Sequence, residues 1–394
     1  MDSMVSVITG LENFLKDGAS DISKSRWGLL CNPASINRHF LHARDLIHHK
    51  FPGRLTALFS PQHGFFAEKQ DNMIESGDFT DTRLNVPVFS LYGKTRIPTP
   101  EMMDQIDVLL VDLLDVGTRV YTFTSTLSYC LEAAAGSGKR VVVLDRPNPV
   151  GGIKIEGNCL APDLRSFVGR YEIPMRHGLT MGEYAAFINE TQGIGCDLRV
   201  VPMTGWRRRM LYPDTGLPWV APSPNLPTPA SALVYPGQVI WEGTNISEGR
   251  GTTLPFEQFG APFLDLEKIL DFVGGPQIPG AVLRPVAFEP TSNKWAGQRC
   301  LGFQIHVTDP RTFSPLKTSL HLLQAVIHHH PDRFSWKQPP YEYEHEKLPM
   351  DLIIGSRAVR RQVEEMVPMD RIASAWAEEI AAYWSKAGRF CLYA

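Results

Sequence analysis

Val108-Leu-Leu-Val-Asp112, then Leu113-Leu-Asp115-Val-Gly117-Thr-Arg119-Val-Tyr121, then Ser125–Gly136, then Val141-Val-Val-Leu144-Asp145 is the stretch on which the fold turns. The first and last of these pieces are short apolar runs of strand length, bounded by polar residues, as buried parallel strands are. Between them, Ser125–Gly136 has helical length. Thr124 stands where an N-cap belongs, and Gly136 and Gly138 stand where a helix stops. Working outward, Trp27–Cys31, Leu55–Phe59 and Val88–Leu91 repeat the strand signal, while His39–Lys50 and Pro100–Ile106 repeat the helical one. This alternation predicts an α/β fold, a Rossmann-like parallel sheet domain over residues 1–155. Beyond it, residues 179–193, 316–330 and 371–386 read as helices, and 198–203, 281–289 and 301–308 as strands. A proline-rich run, 217–229, cannot be helical along its length. Residues 156–394 are therefore expected to form an α+β lobe that closes over the sheet.

The polar residues fall in a pattern. Strand two runs into Ser60-Pro-Gln62-His63-Gly64, strand three into Tyr92-Gly-Lys94, strand four into Asp115-Val-Gly-Thr-Arg119-Val-Tyr121, and strand five into Asp145-Arg146-Pro-Asn148. Open α/β sheets bind ligands outside the carboxyl ends of their strands. Four polar, glycine- and proline-shaped loops at successive strand ends therefore predict one cleft. His63 sits in a turn where packing asks for no imidazole. Glu68, Gln70, Asp71, Asn72 and Glu75 follow it in a dense polar loop, for which a solvated surface loop is the plainer account. Asp115 and Arg119 have an internal ion pair as their plainer account. In the second lobe, Glu242-Gly-Thr-Asn245-Ile-Ser-Glu248-Gly-Arg250-Gly-Thr252-Thr253 sets carboxylates, an amide, a guanidinium and hydroxyls among glycines, more hydrogen-bonding groups than a connector needs.

Other classes lose support. The 394 residues carry 39 basic and 42 acidic side chains, a net charge of −3, with no basic stripe, so a nucleic-acid partner has no electrostatic basis. No apolar run approaches bilayer length, and Met1–Leu15 lacks a cationic segment followed by an apolar one, so the expectation is a cytoplasmic protein without membrane insertion. The six cysteines form no Cys-x-x-Cys pair and are expected to be reduced and structural. Gly136-Ser-Gly138-Lys139 lacks the remainder of a phosphate loop, and Cys31–Ser35 has no glycine triplet, so no nucleotide cofactor is indicated. His328, His329 and His330 close a helix, with no acidic or cysteine partner at metal-ligand spacing.

Read in order, the motifs at 60–64, 90–94, 115–122 and 145–149, Gly151-Gly152, Glu156-Gly157, Arg176-His177-Gly178, Pro222-Ser-Pro-Asn-Leu-Pro-Thr228 and 242–253 resemble the NamZ-type exo-β-N-acetylmuramidases. The resemblance is strong over about residues 55–310. It implies release of terminal N-acetylmuramic acid from the non-reducing ends of peptidoglycan fragments, in a site between two lobes and with no metal or nucleotide. Such chemistry needs a carboxylic acid and a second carboxylate. The expected acid is Glu68 or Glu75, its partner Asp115 or Glu248, with His63 assisting. Gln62, Gln70, Tyr92, Lys94, Arg119, Tyr121, Arg146, Asn148, His177, Glu242, Asn245, Glu248, Arg250 and Thr252 are expected to bind the carbohydrate or muropeptide. Arg250 is expected to take the lactyl carboxylate, since an arginine matches a carboxylate in two hydrogen bonds. One departure stands out. The family commonly reads Pro-Glu-His-Gly where this chain has Gln62, and glutamine cannot exchange a proton. The alternative is a non-catalytic sugar or muropeptide sensor.

Overall fold

In the computed structural model, which describes residues 6–71 and 73–394, the chain forms a mixed α/β body with two lobes; Asn72 and residues 1–5 lie outside the described residues. The strands, in chain order, are β1 (Trp27–Cys31), β2 (Leu55–Ser60), β3 (Phe79–Asp81), β4 (Val86–Ser90), β5 (Val108–Asp112), β6 (Arg140–Leu144), β7 (Glu156–Cys159), β8 (Pro174–Arg176), β9 (Asp197–Val201), β10 (Gln258–Ala261), β11 (Gln277–Ile278), β12 (Ala281–Phe288) and β13 (Cys300–Val307). Seven of them make one sheet in the order β3-β4-β2-β1-β5-β6-β9, parallel except for the edge strand β3. The chain order reverses between β1 and β5, which creates the crevice such sheets offer to ligands.

The apolar runs read from the sequence are the central strands because both their faces are covered. Leu11, Phe14, Ala43 and Ile47, on the helices Gly10–Asp17 and Ala43–Lys50, pack on one side. The helices Phe123–Gly136 and Met181–Thr191 cover the other, through Phe123, Leu127, Leu131, Tyr184 and Ile188. That second core continues without a break into the far lobe, reaching Trp241, Phe259, Phe303, Leu320 and Trp376. There an antiparallel sheet, β10-β13-β12-β11, packs with the helix Pro229–Gln238, which lies against Pro315–His329, while the helix Met369–Ala387 reaches across to β7. β7 and β8 form a separate antiparallel pair.

Two expectations need correction. The parallel sheet takes its last strand from Asp197–Val201, so it extends past residue 155. We propose instead that the lobes divide near residue 230, where the proline-rich run ends and Pro229 opens the helix Pro229–Gln238 behind a Thr228 cap. Next, the helix after β5 begins at Phe123, not after a Thr124 cap. The Thr124 hydroxyl donates to the Tyr121 carbonyl, and Thr122 occupies the cap position without capping. The three histidines close the helix Pro315–His329 as the sequence reading has them, and they also pack. His328 and His329 stand against Phe272, and His330 Nε2 accepts from the Asp265 amide. The six cysteines are free thiols.

Candidate active site

β2, β4 and β5 each end at the same crevice. Beyond β2 the chain turns through His63, at φ 77°, and Gly64, at φ 85°. The left-handed turn is strained for histidine and natural for glycine. It sets Gln62 and His63 into the wall of a cavity whose opposite wall belongs to the second lobe, with Glu242, Arg250, Tyr341 and Glu342. β4 leads to Tyr92, and the loop after β5 brings Val120–Phe123 to the floor. Two neighbouring residues of the second lobe, Glu342 (φ 47°) and Tyr343 (φ 66°), also hold left-handed backbone, as does the lining residue Phe256 (φ 61°). Such conformations cost on the order of 1–3 kcal/mol each and gather at functional sites. The Arg96 guanidinium stacks 3.3 Å from the Tyr343 ring centre and steadies this segment against the first lobe.

The two buried glutamates differ in environment. Glu342 receives the Tyr92 hydroxyl at 2.6 Å and the Gln62 amide at 3.0 Å, and Gln62 in turn receives the Thr122 hydroxyl at 2.5 Å. Burial pushes the Glu342 carboxyl up and the charge of Glu242 adds to this; the two hydrogen bonds offset only part, so it is held above its ordinary value. Glu242 is buried too, which raises it. The Arg250 guanidinium at 2.7 Å and the Tyr341 hydroxyl at 2.7 Å outweigh that and hold it below its ordinary value. Pairs of carboxyls whose environments drive them apart are how one site keeps an acid and a charge together. Burial lowers His63 to about 4, so its ring is neutral. Nδ1–H donates to the Lys69 carbonyl at 2.7 Å, which leaves Nε2 as an acceptor.

The innermost cavity is narrow, about 30 Å3, room for one or two waters and not for a sugar ring. It widens through a chamber of about 270 Å3 bounded by Asp71, Glu248, Asn293, Lys294 and Lys337. The segment after His63 lies over the mouth. The Gln70 carbonyl receives Asn225 at 2.8 Å and Arg250 at 3.1 Å, and Asp71 receives Asn293 at 2.8 Å.

Against the sequence expectations, the structure brings Gln62, His63, Tyr92, Tyr121, Glu242, Glu248 and Arg250 together, with Asn245 on the outer rim beside Lys294 and Trp295. Other expected residues are elsewhere. Glu68 and Glu75, the expected acids, are exposed and outside the cavity lining; Glu68 folds back toward the Phe66 amide of its own loop. Asp115 is buried below the floor, accepting from the Gly117 amide at 2.6 Å and lying 3.5 Å from His177 Nε2. Arg119 is not paired with Asp115. It donates to the carbonyls of Asn158, Ile173, Ile353 and Ile354 and ties the lobes together; burial lowers it to about 10. Arg146 is consumed by Asp112 and the Ile36 carbonyl. Asn148 braces the Leu179 carbonyl, and Thr252 closes the turn at Gly249. Lys94 and the Gln70 side chain point to solvent. Arg250, expected to hold a ligand carboxylate, is engaged by Glu242 and Glu248.

Glu342 and Thr122 escaped the sequence reading. The one signal for Glu342 is local: tyrosines on both sides, just after Pro339-Pro340. Among the described residues no three histidine, cysteine or acidic side chains converge as around a metal.

The NamZ exo-β-N-acetylmuramidase N-terminal domain model matches residues 27–230, and the C-terminal domain model matches residues 233–393. The chain belongs to the NamZ family. It is 39% identical over 387 residues to the peptidoglycan β-N-acetylmuramidase NamZ of Bacillus subtilis strain 168, a match covering 98% of this chain and 91% of that one. Two crystal structures of DUF1343 family proteins from Bacteroides fragilis share the fold. One has a TM-score of 0.88 at 34% identity, covering 99% of this chain and all of that one. The other scores 0.74 at 26% identity and covers 98% and 99%. The junction of the two NamZ domain models falls at the proposed lobe division. The site described above lies across it, with Gln62 and Thr122 from one side and Glu242 and Glu342 from the other.

Proposed function

We propose that this NamZ-family chain is a glycoside hydrolase that removes terminal β-linked N-acetylmuramic acid from the non-reducing end of peptidoglycan fragments. The observation that carries the reading is the pair of glutamates on one buried cavity, Glu342 held up and Glu242 held down. Glu342, protonated, donates to the leaving glycosidic oxygen. Glu242, ionised and fixed by Arg250 and Tyr341, faces the positive charge that develops on the sugar ring and serves as nucleophile or base. His63 Nε2 accepts from a sugar hydroxyl. Gln62 no longer argues for a mere sensor. Its amide holds Glu342, so the carboxyl missing at position 62 is present one hydrogen bond away. The closed cavity requires the segment bearing Gln70 and Asp71 to lift for the sugar to enter.

The test is Glu342→Gln against a chromogenic β-N-acetylmuramide and a muramyl disaccharide. The variant should lose on the order of a hundredfold or more in kcat on the disaccharide, whose leaving alcohol needs a proton. It should lose far less on a nitrophenyl leaving group, which departs without one. Equal losses on both, or none, would remove Glu342 as the acid. Binding of the muramide without any hydrolysis by the native protein would favour the sensor.

A further inference from the structure

Thr122 and Phe123 line the floor of the cavity where a 14-residue helix, Phe123–Gly136, begins, and Thr124 and Ser125 are buried directly behind them. Thr122 stands at the cap position and makes no side-chain cap. Its hydroxyl is turned to Gln62 instead. The first main-chain bond of the helix runs from the Thr126 amide to the Thr122 carbonyl. Among the described residues, the amides of Phe123, Thr124 and Ser125 therefore meet no acceptor, although all three residues are at most 2% exposed. A buried helix start without acceptors is costly unless a ligand supplies them, and its partial positive charge selects an anion. A second group points the same way. The Tyr121 ring forms part of the same wall, is 6% exposed, and its hydroxyl has no hydrogen-bond partner of proper geometry; Ser223, another lining residue, lies beside it.

We propose that the amides of Phe123–Ser125 together with the Tyr121 hydroxyl seat a carboxylate of the substrate, the lactyl carboxylate of the terminal muramic acid. The assignment rests on the muramidase reading. It moves the anion away from Arg250, whose guanidinium is already held between Glu242 and Glu248. A singly charged, planar carboxylate suits the place. A dianionic phosphate would meet the Glu242 charge on the same cavity. The seat lies next to Gln62 through Thr122, so a sugar anchored there by its lactyl group has its ring held near Glu342.

Two variants test the seat. Tyr121→Phe removes only the hydroxyl. Thr124→Pro removes one amide at the second helical position, where proline is tolerated. Inhibition constants are measured for N-acetylmuramic acid and for its lactyl methyl ester, which has the same shape and no charge. Each variant should weaken the acid by roughly tenfold or more, the worth of one hydrogen bond to a charged group, and the ester by less than about threefold. Equal weakening of both, or no weakening of the acid by Tyr121→Phe, would overturn the seat, and Tyr121→Phe alone decides should Thr124→Pro fold poorly. If the native protein neither binds N-acetylmuramic acid nor cleaves a chromogenic muramide, the muramidase reading itself falls. Cleavage with indiscriminate variants would sink only the seat.

Discussion

Tyr92→Phe should make the enzyme hold its catalytic proton to higher pH. The Tyr92 hydroxyl, buried and 2.6 Å from Glu342 Oε2, donates to that oxygen and so stabilises the ionised carboxylate. Hydrogen bonds to a charged partner contribute about 1.5–3 kcal/mol. Deleting this one disfavours the charged form by that amount, while the ring remains to fill the space between Phe167 and Tyr343. At about 1.4 kcal/mol per tenfold, the alkaline limb of kcat/KM should move upward by roughly one to two pH units. That limb reports the ionisation of the free enzyme. The profile is best recorded on a muramyl disaccharide, because its leaving group makes the acid step visible. A thermal melt alongside shows whether loss of the Met73 amide bond to the same hydroxyl loosens the fold. A limb that stays in place or moves down, whatever happens to the plateau, would refute Glu342 as the acid tuned by Tyr92.

Gln62→Glu would set a second carboxyl about where the amide now lies, 3.0 Å from Glu342. Two carboxyls that close share a proton, so the pH–rate profile should gain a second step and stay active to higher pH than the parent. Stability should also report on His63. Its folded value of about 4 lies below the ordinary 6.5, so between those limits the unfolded chain binds a proton that the folded one refuses. Stability therefore falls as pH drops from about 6.5 toward 4, by something of order 3 kcal/mol from this group, and urea titrations of His63→Gln should show a flatter decline. Arg119→Met strands four buried carbonyls and should cost at least about 3 kcal/mol in urea unfolding. The folded fraction should keep kcat/KM within about threefold, because Arg119 does not line the cavity; a selective rise in KM would restore it as a binding residue. Arg96→Ala removes the stack on Tyr343 and should lower kcat up to about thirtyfold, the worth of a buried cation–π contact, with Arg96→Lys recovering part.

What could be read from the chain and what could not divide along physical lines. β1 and β5 match their sequence bounds residue for residue, because strands covered on both faces are spelled in unbroken apolar runs. β9 is half-exposed and mixed in character, so its place in the parallel sheet is not written in its own residues. The crevice was legible from polar residues at strand ends. The roles of those residues were not. Arg119, Arg146 and Asn148 sit in the right loops, yet each is consumed by carbonyls or a carboxylate that only the fold brings near. Glu342 is 280 residues from Gln62 in sequence, and nothing local ties the two. Arg250 was a sound choice for an anion on chemistry alone. Its two buried glutamate partners decide against it.

The same geometry explains why so much charge is buried at the seam between the lobes. A hydrophobic seam of equal size would be no less stable, since buried ion pairs seldom add net stability over well-packed apolar groups. A seam built from Glu242, Arg250, Glu248 and Lys294 does something an apolar one cannot, because the Arg250 guanidinium beside Glu242 holds that carboxyl below its ordinary value. Glu242 stays ionised only while Arg250 and Tyr341 face it, and Glu342 meets Tyr92 and Gln62 only when the first lobe is in place. Neither lobe alone carries an acid and a charge in working order. Separating the chain near residue 230 should therefore abolish hydrolysis even if each half folded, and mixing the halves should restore it only as far as they reassociate. Activity that survived in the first half alone, which holds neither carboxyl, would mean that the two are not the catalytic pair, and full activity of the second half alone would mean that Tyr92 and Gln62 do not tune Glu342.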